Sequence, residues 1–352
     1  MNIKHPWRMT SVAGLLSLPL LLSGCSLFGN EAASIDPPPS TTEQSMIRAV
    51  TGKAPATTGQ LRAVFLQDHN GLLAPVSLPI ASGDVQADAK SALETLVEGG
   101  PYAGLLPEGF KGVLPQGTEV KSVTVDKDNK LAVVEFNKSF ANYKPQEERK
   151  LMESLTWTLT DRPDIKSVQI WVDGKKLNEM PVGGTPLDHP LTRAVGINLE
   201  VGHGVTPLDS SPVTVYFSSS SPAGVQYYVP VTRLVSPEKD RVQSALHQLI
   251  QGPQTKDGLQ EVMTGETALK SVERSKDNVI TVSLSDDMFA KGEAVPAEFL
   301  ESVVLTAADN SDDAVKTKIR IELNGEKSVI GQNNQNYGEP VAKPQHINEI
   351  PL

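Results

Sequence analysis

Disulfide bonds are excluded from the start, because the chain has one cysteine in 352 residues, Cys25. A single thiol in a chain this long needs a reason other than cross-linking. Aromatic residues are scarce, at 5%, which argues against a carbohydrate platform built from stacked rings. Positive charge is also short: the formal net charge is −10, a balance that repels nucleic acid and anionic lipid headgroups. No apolar run is long enough to span a bilayer comfortably.

What stands around the cysteine explains it. Lys4 and Arg8 make the amino terminus positive, Val12 to Leu22 is apolar apart from Ser17 and Pro19, and small residues follow. Charge, a short greasy core and a small-residue site form the pattern of a secretion signal. Leu22, Ser23, Gly24 and Cys25 read as a bacterial lipobox. Cys25 is then the acylated first residue of the mature protein, and lipid chains supply the membrane affinity. Removal of residues 1–24 leaves 30 basic against 42 acidic residues. Residues 25–60, with "IDPPPSTTEQ" at their centre, are too polar to fold alone and read as a disordered tether.

The body carries an internal duplication. Ala89, Ala92, Leu93, Leu96 and Val97 form one helical stripe, and Val242, Ala245, Leu246, Leu249 and Ile250 repeat its spacing. Both stripes stop at glycine followed by proline, Gly100-Pro101 and Gly252-Pro253. Ser236-Pro237 is the expected cap of the second helix. Segments 61–80 and 213–235 each read as a hairpin. Ala132, Val134 and Phe136 match Ile280, Val282 and Leu284. Met152, Leu155 and Leu159 match Leu300, Val303 and Ala307. Val168, Ile170 and Val172 match Ile319, Ile321 and Leu323. Turns at Asp173-Gly174 and Asn324-Gly325 close both copies.

Aligned positions lie 148 to 153 residues apart, a period for duplicated domains and not for a solenoid. The expected fold is α+β: two tandem β-β-α-β-β-α-β units, each with helices on one face of a sheet. The units span 61–178 and 213–327, separated by a connector at 179–212 and followed by a loosely docked polar tail at 328–352.

At "LETLVEGGPYAGLLPEGFKGVLPQGTEV", "WTLTDRPDIKSVQIWVDGKKLNEMPVGGTP" and "LTRAVGINLE" the chain resembles the GerM family of sporulation and spore germination lipoproteins. The resemblance extends to "IDPP", to "PVTVYF" and "YYVPVT", and to "GEPVAKP". It implies two GerMN domains, similar to the ring-building motif of secretion-channel proteins. It further implies a lipoprotein on the outer face of the mother-cell membrane, supporting the mother cell–forespore channel, engulfment, peptidoglycan remodelling and germination.

Catalytic patterns are missing from this reading. The histidines His5, His69, His189, His203, His247 and His346 have no metal-ligand spacing. His203, in "VGHGV", is the best single candidate for a site and reads more simply as a connector turn. "DKDN" (126–129) fails the EF-hand pattern, which needs an oxygen ligand and glycine where Lys130 and Leu131 stand. Asp286-Asp287 and Asp312-Asp313 read as solvated loop charge. No catalytic residue, metal or cofactor is assigned.

Trp171 is the candidate interface residue, because Glu322 holds its place in the second copy and an exposed tryptophan anchors interfaces. The simpler alternative is burial under residues 181–212. The expected function is a lipid-anchored, extracytoplasmic protein–protein interaction and assembly module. Partners would be proteins of a channel or cell-wall complex, with no nucleic acid. The alternatives are a peptidoglycan-remodelling enzyme and a solute-binding lipoprotein.

Overall fold

The computed structural model describes residues 60–80, 83–202, 204–206, 208–255 and 257–350. The lipobox residues Leu22, Ser23, Gly24 and Cys25, the tether up to residue 59 and His203 lie outside the described residues.

Each copy begins with a hairpin of largely buried strands: β1 (Leu61–Gln67) with β2 (Leu73–Pro79), and β8 (Ser211–Ser220) with β9 (Gln226–Val235). An amphipathic helix follows, α1 (Val85–Thr95) or α3 (Arg241–Ile250). The caps are aspartates. Asp84 accepts hydrogen bonds from the N–H groups of Gln86 and Ala87, and Asp240 from those of Val242 and Gln243. Ser236-Pro237 is therefore not the cap of α3; the helix starts at Arg241, where the Asp240 carboxylate reaches the free N–H groups.

Next come β3 (Val120–Asp126), β4 (Leu131–Phe136), α2 (Glu148–Thr160) and β5 (Ser167–Val172). Their counterparts are β10 (Ala268–Arg274), β11 (Val279–Ser285), α4 (Ala297–Asp309) and β12 (Lys318–Leu323). In both copies the first two strands pair antiparallel, and the strand after the helix returns parallel to its neighbour. Asp173-Gly174 and Asn324-Gly325 have positive φ at both positions, the geometry that a tight primed turn requires. The first turns into β6 (Lys175–Lys176), which pairs with β5.

Helices α2 and α4 are buried nearly all round. One side of each covers its sheet, and the other lies along the free edge of the hairpin. Thr158 Oγ1 accepts the Phe65 N–H at 2.9 Å, and Ser154 Oγ donates to the Phe65 carbonyl at 2.6 Å. In the second copy Thr306 Oγ1 accepts the Tyr216 N–H at 3.1 Å, while Asn310 accepts from Thr214 and donates back to it. Helix side chains thus satisfy edge groups that would otherwise invite strand pairing.

The polar tail is not loosely docked over its described residues, 328–350. Residues Val341–Ala342 form β13, which pairs with β12, and Tyr337, Ile347 and Ile350 are buried. The connector does the same work for the first copy: Leu191 bridges Val168 as Val341 bridges Ile319. Connector and tail are equivalent carboxy-terminal arms of the two copies. One continuous core runs through both copies.

Candidate functional site

Both arms bond across the seam where the hairpins stand side by side. Short β7 (Glu200–Val201) in the first arm pairs parallel with β9. Just before it, Asn198 Oδ1 accepts the Leu73 N–H at 2.9 Å, and its amide donates to the Leu73 and Pro230 carbonyls, each at 2.8 Å. In the second arm, Asn348 Oδ1 accepts the Tyr228 N–H at 2.7 Å and donates to the Tyr228 and Pro75 carbonyls. Both asparagines have positive φ, 47° and 59°, which asparagine tolerates better than most residues. Pro75 and Pro230 lack N–H groups and cannot complete a direct ladder there.

The isoleucine before each asparagine is buried in a matching pocket. Ile197 packs with Phe65, Leu73 and Trp157, and Ile347 with Tyr216, Tyr228 and Leu305. Trp157 stands edge-on to Phe65 at 5.5 Å, lies under the Arg193 guanidinium at 4.4 Å, and donates to the Gly196 carbonyl at 2.7 Å. Arg193 pairs with Asp161 at 3.1 Å, as Lys343 pairs with Asp309 at 2.5 Å.

Burial alone would raise the Asp309 carboxyl, but the Lys343 and Arg193 charges beside it bring it below its ordinary value. The Tyr216 hydroxyl, which donates to Asp309, is pushed well up by burial and by that carboxylate. Glu153, also at the seam, is raised by burial, against the pull of Arg149.

Trp171 is half-buried on the outer face of the β3-β4-β5-β6 sheet, opposite the helices. Its ring N–H donates to Gln169 Oε1 at 3.1 Å, and its register neighbours are Glu135 and Lys176. The equivalent face of the second copy carries Arg320 and Glu322. Asn198 and Asn348, which bond to both hairpins, and Trp157, which holds the first arm, match no chemical motif. The recurring Ile-Asn dipeptide was the available signal.

Other charged groups resolve as structure. Asp286 is 1% exposed and accepts hydrogen bonds from the Thr264 and Thr267 hydroxyls, each at 2.6 Å. It is a buried loop anchor, in contrast to the solvated charge expected of it, because two hydroxyls and the Met288 N–H replace its water. Its counterpart Asn137 ties the equivalent loop through Gly117 and Glu119. Asp313 holds an exposed turn through the Val315 and Lys316 N–H groups, and Asp126 does so at the β3–β4 tip. Among the described residues no group of three His, Cys, Asp or Glu side chains could hold a metal ion. No helix among them is long and apolar enough to cross a membrane.

This geometry defines a class: a duplicated α+β protein whose two copies are joined by arms that each pack on their own copy and bond to both hairpins. A family model described as "Germane: Sporulation and spore germination" matches residues 63–178 and again 214–329. The chain belongs to this family. It is 36% identical to the spore germination protein GerM of Bacillus subtilis (strain 168), over 96% of both chains. The solved tandem GerMN domains of the sporulation protein GerM from Bacillus subtilis align with a TM-score of 0.74 and 36% identity, covering 82% of this chain and 99% of that one.

Proposed function

We propose that this chain is a lipid-anchored interaction and assembly module, exported through the lipobox at Cys25 and working outside the cytoplasmic membrane in sporulation and spore germination. The family assignment supports the process. The observation that carries the molecular role is the interlocked pair of domains with a half-buried tryptophan, Trp171, on an outer sheet face. A rigid body of this kind presents fixed surfaces, and a protein partner in the channel or wall machinery would seat on the Trp171 face.

Crosslinking in sporulating cells, followed by purification of the wild-type chain and of Trp171→Glu, tests this role. Glutamate already occupies the matching place in the second copy, so the fold accommodates it. The expected result is a discrete set of envelope proteins recovered with the wild type and depleted with the variant. Identical recovery with both, or hydrolysis of peptidoglycan by the purified chain alone, would contradict it. Labelling with a radioactive fatty acid, lost in Cys25→Ala, tests the anchor.

A further inference from the structure

Beside the tip of the first hairpin lies a cleft of about 560 Å³, lined by Gln67 to Gly71 and by Gly109 to Lys111. That volume falls within the range of small-ligand sites, ~300–1,000 Å³. Lys111 lines it, and Lys150 stands beside it at Gly71, in a protein of net charge −10. Lys111 is exposed, and its ammonium makes no hydrogen bond or ion pair among the described residues. Lys150, on α2, donates to the Gly71 carbonyl at the cleft's edge. Burial lowers the Lys150 pKa, the Lys111 charge adds to that, and Glu153, Asp68 and Glu147 oppose it. Of these acids, Asp68 is 2% exposed and fully engaged, by the Tyr227 hydroxyl and the N–H groups of Asn70 and Leu72. The His69 ring is exposed at the same rim, its Nδ1 beside Gly109.

The second copy serves as an internal control. There the bridge that Lys111 makes to Gln67 is made by Gln260 to Ser218. In the helix register that matches Met152 with Leu300, Lys150 corresponds to Glu298. The fold therefore forms with a neutral and an acidic residue at these two places. Glu153, Asp68 and Glu147 offset the Lys150 charge in part, whereas the Lys111 ammonium faces the open cleft with no such partner among the described residues.

We propose that this cleft is an oxyanion site, in which Lys111 and Lys150 receive a phosphate or carboxylate group. The reading is independent of docking at Trp171.

The test is a titration of the purified full chain, followed by amide NMR shifts, with sodium phosphate, sodium acetate and sodium chloride at matched ionic strength. A saturable shift confined to residues 67–71 and 109–111 is expected with phosphate or with acetate, and the anion that saturates assigns the class. Lys111→Gln copies the sister domain, so its melting temperature should be unchanged while affinity falls about tenfold. Shifts that chloride reproduces, no saturation with either oxyanion, or a Lys111→Gln titration like the wild type would each overturn the site.

Discussion

Asn198 and Asn348 occupy one place in the two copies of the duplication and make the same set of three hydrogen bonds, each to one residue of its neighbouring strand and to the proline carbonyl of the other. Their amides stand in for the peptide groups that a continuous sheet would have supplied. The pairing makes the two domains one structural object, since each asparagine is bonded to both hairpins.

Alanine at Asn198 leaves the Leu73 N–H and two carbonyls without partners in a partly buried seam. The expected cost is about 2 kcal/mol, from the price of unsatisfied polar groups. Asn348→Ala should cost a similar amount by symmetry, and the double variant should differ from the sum, because both single variants weaken one seam. Denaturant unfolding of the four proteins checks this.

Trp157 serves the same seam through shape as well as hydrogen bonding. Trp157→Phe keeps an aromatic ring against Phe65 but leaves the Gly196 carbonyl unpaired, for an expected loss of about 1 kcal/mol. Trp157→Ala also opens a cavity and should cost about 3–5 kcal/mol. Trp171→Ala, on the outer face, should fall well below either in the same assay.

The pH dependence of stability should divide between two acids. Asp309 is depressed in the folded state. Its contribution is therefore present above the ordinary carboxylate value and is lost as pH falls through its lower folded value. Asp309→Asn should be less stable near neutrality and should lose less on acidification below the ordinary carboxylate value. Glu153 is raised, so its ionised form opposes folding above its folded value, and the opposition fades on acidification. Glu153→Gln should be more stable at neutral pH, with that difference shrinking toward the ordinary carboxylate value. Thermal unfolding at stepped pH values measures both.

The order of strands and helices was legible because stripes and alternation report burial directly, and two copies repeated the same evidence. The arms were not. Tyr337, Ile347 and Ile350 are buried but follow no helical or strand period, so their polar surroundings read as a tail. Asn198 and Asn348 look like loop residues until the backbone groups they satisfy are in view. The cap of α3 went astray because Ser-Pro is a strong local signal, while Asp240 wins through its reach to two N–H groups. Asp286 looked solvated because a sequence does not show the hydroxyls that replace its water. The lysine cleft gathers residues from the first hairpin, the loop before β3 and α2, and spacing along the chain gives no hint of it.

Calorimetry of residues 60–350 tests most directly whether the two copies form one body. A single transition is expected, with the calorimetric enthalpy equal to the van't Hoff enthalpy, and the Asn198→Ala/Asn348→Ala variant should split or broaden it. Two separate transitions in the unaltered protein would contradict the interlocked pair.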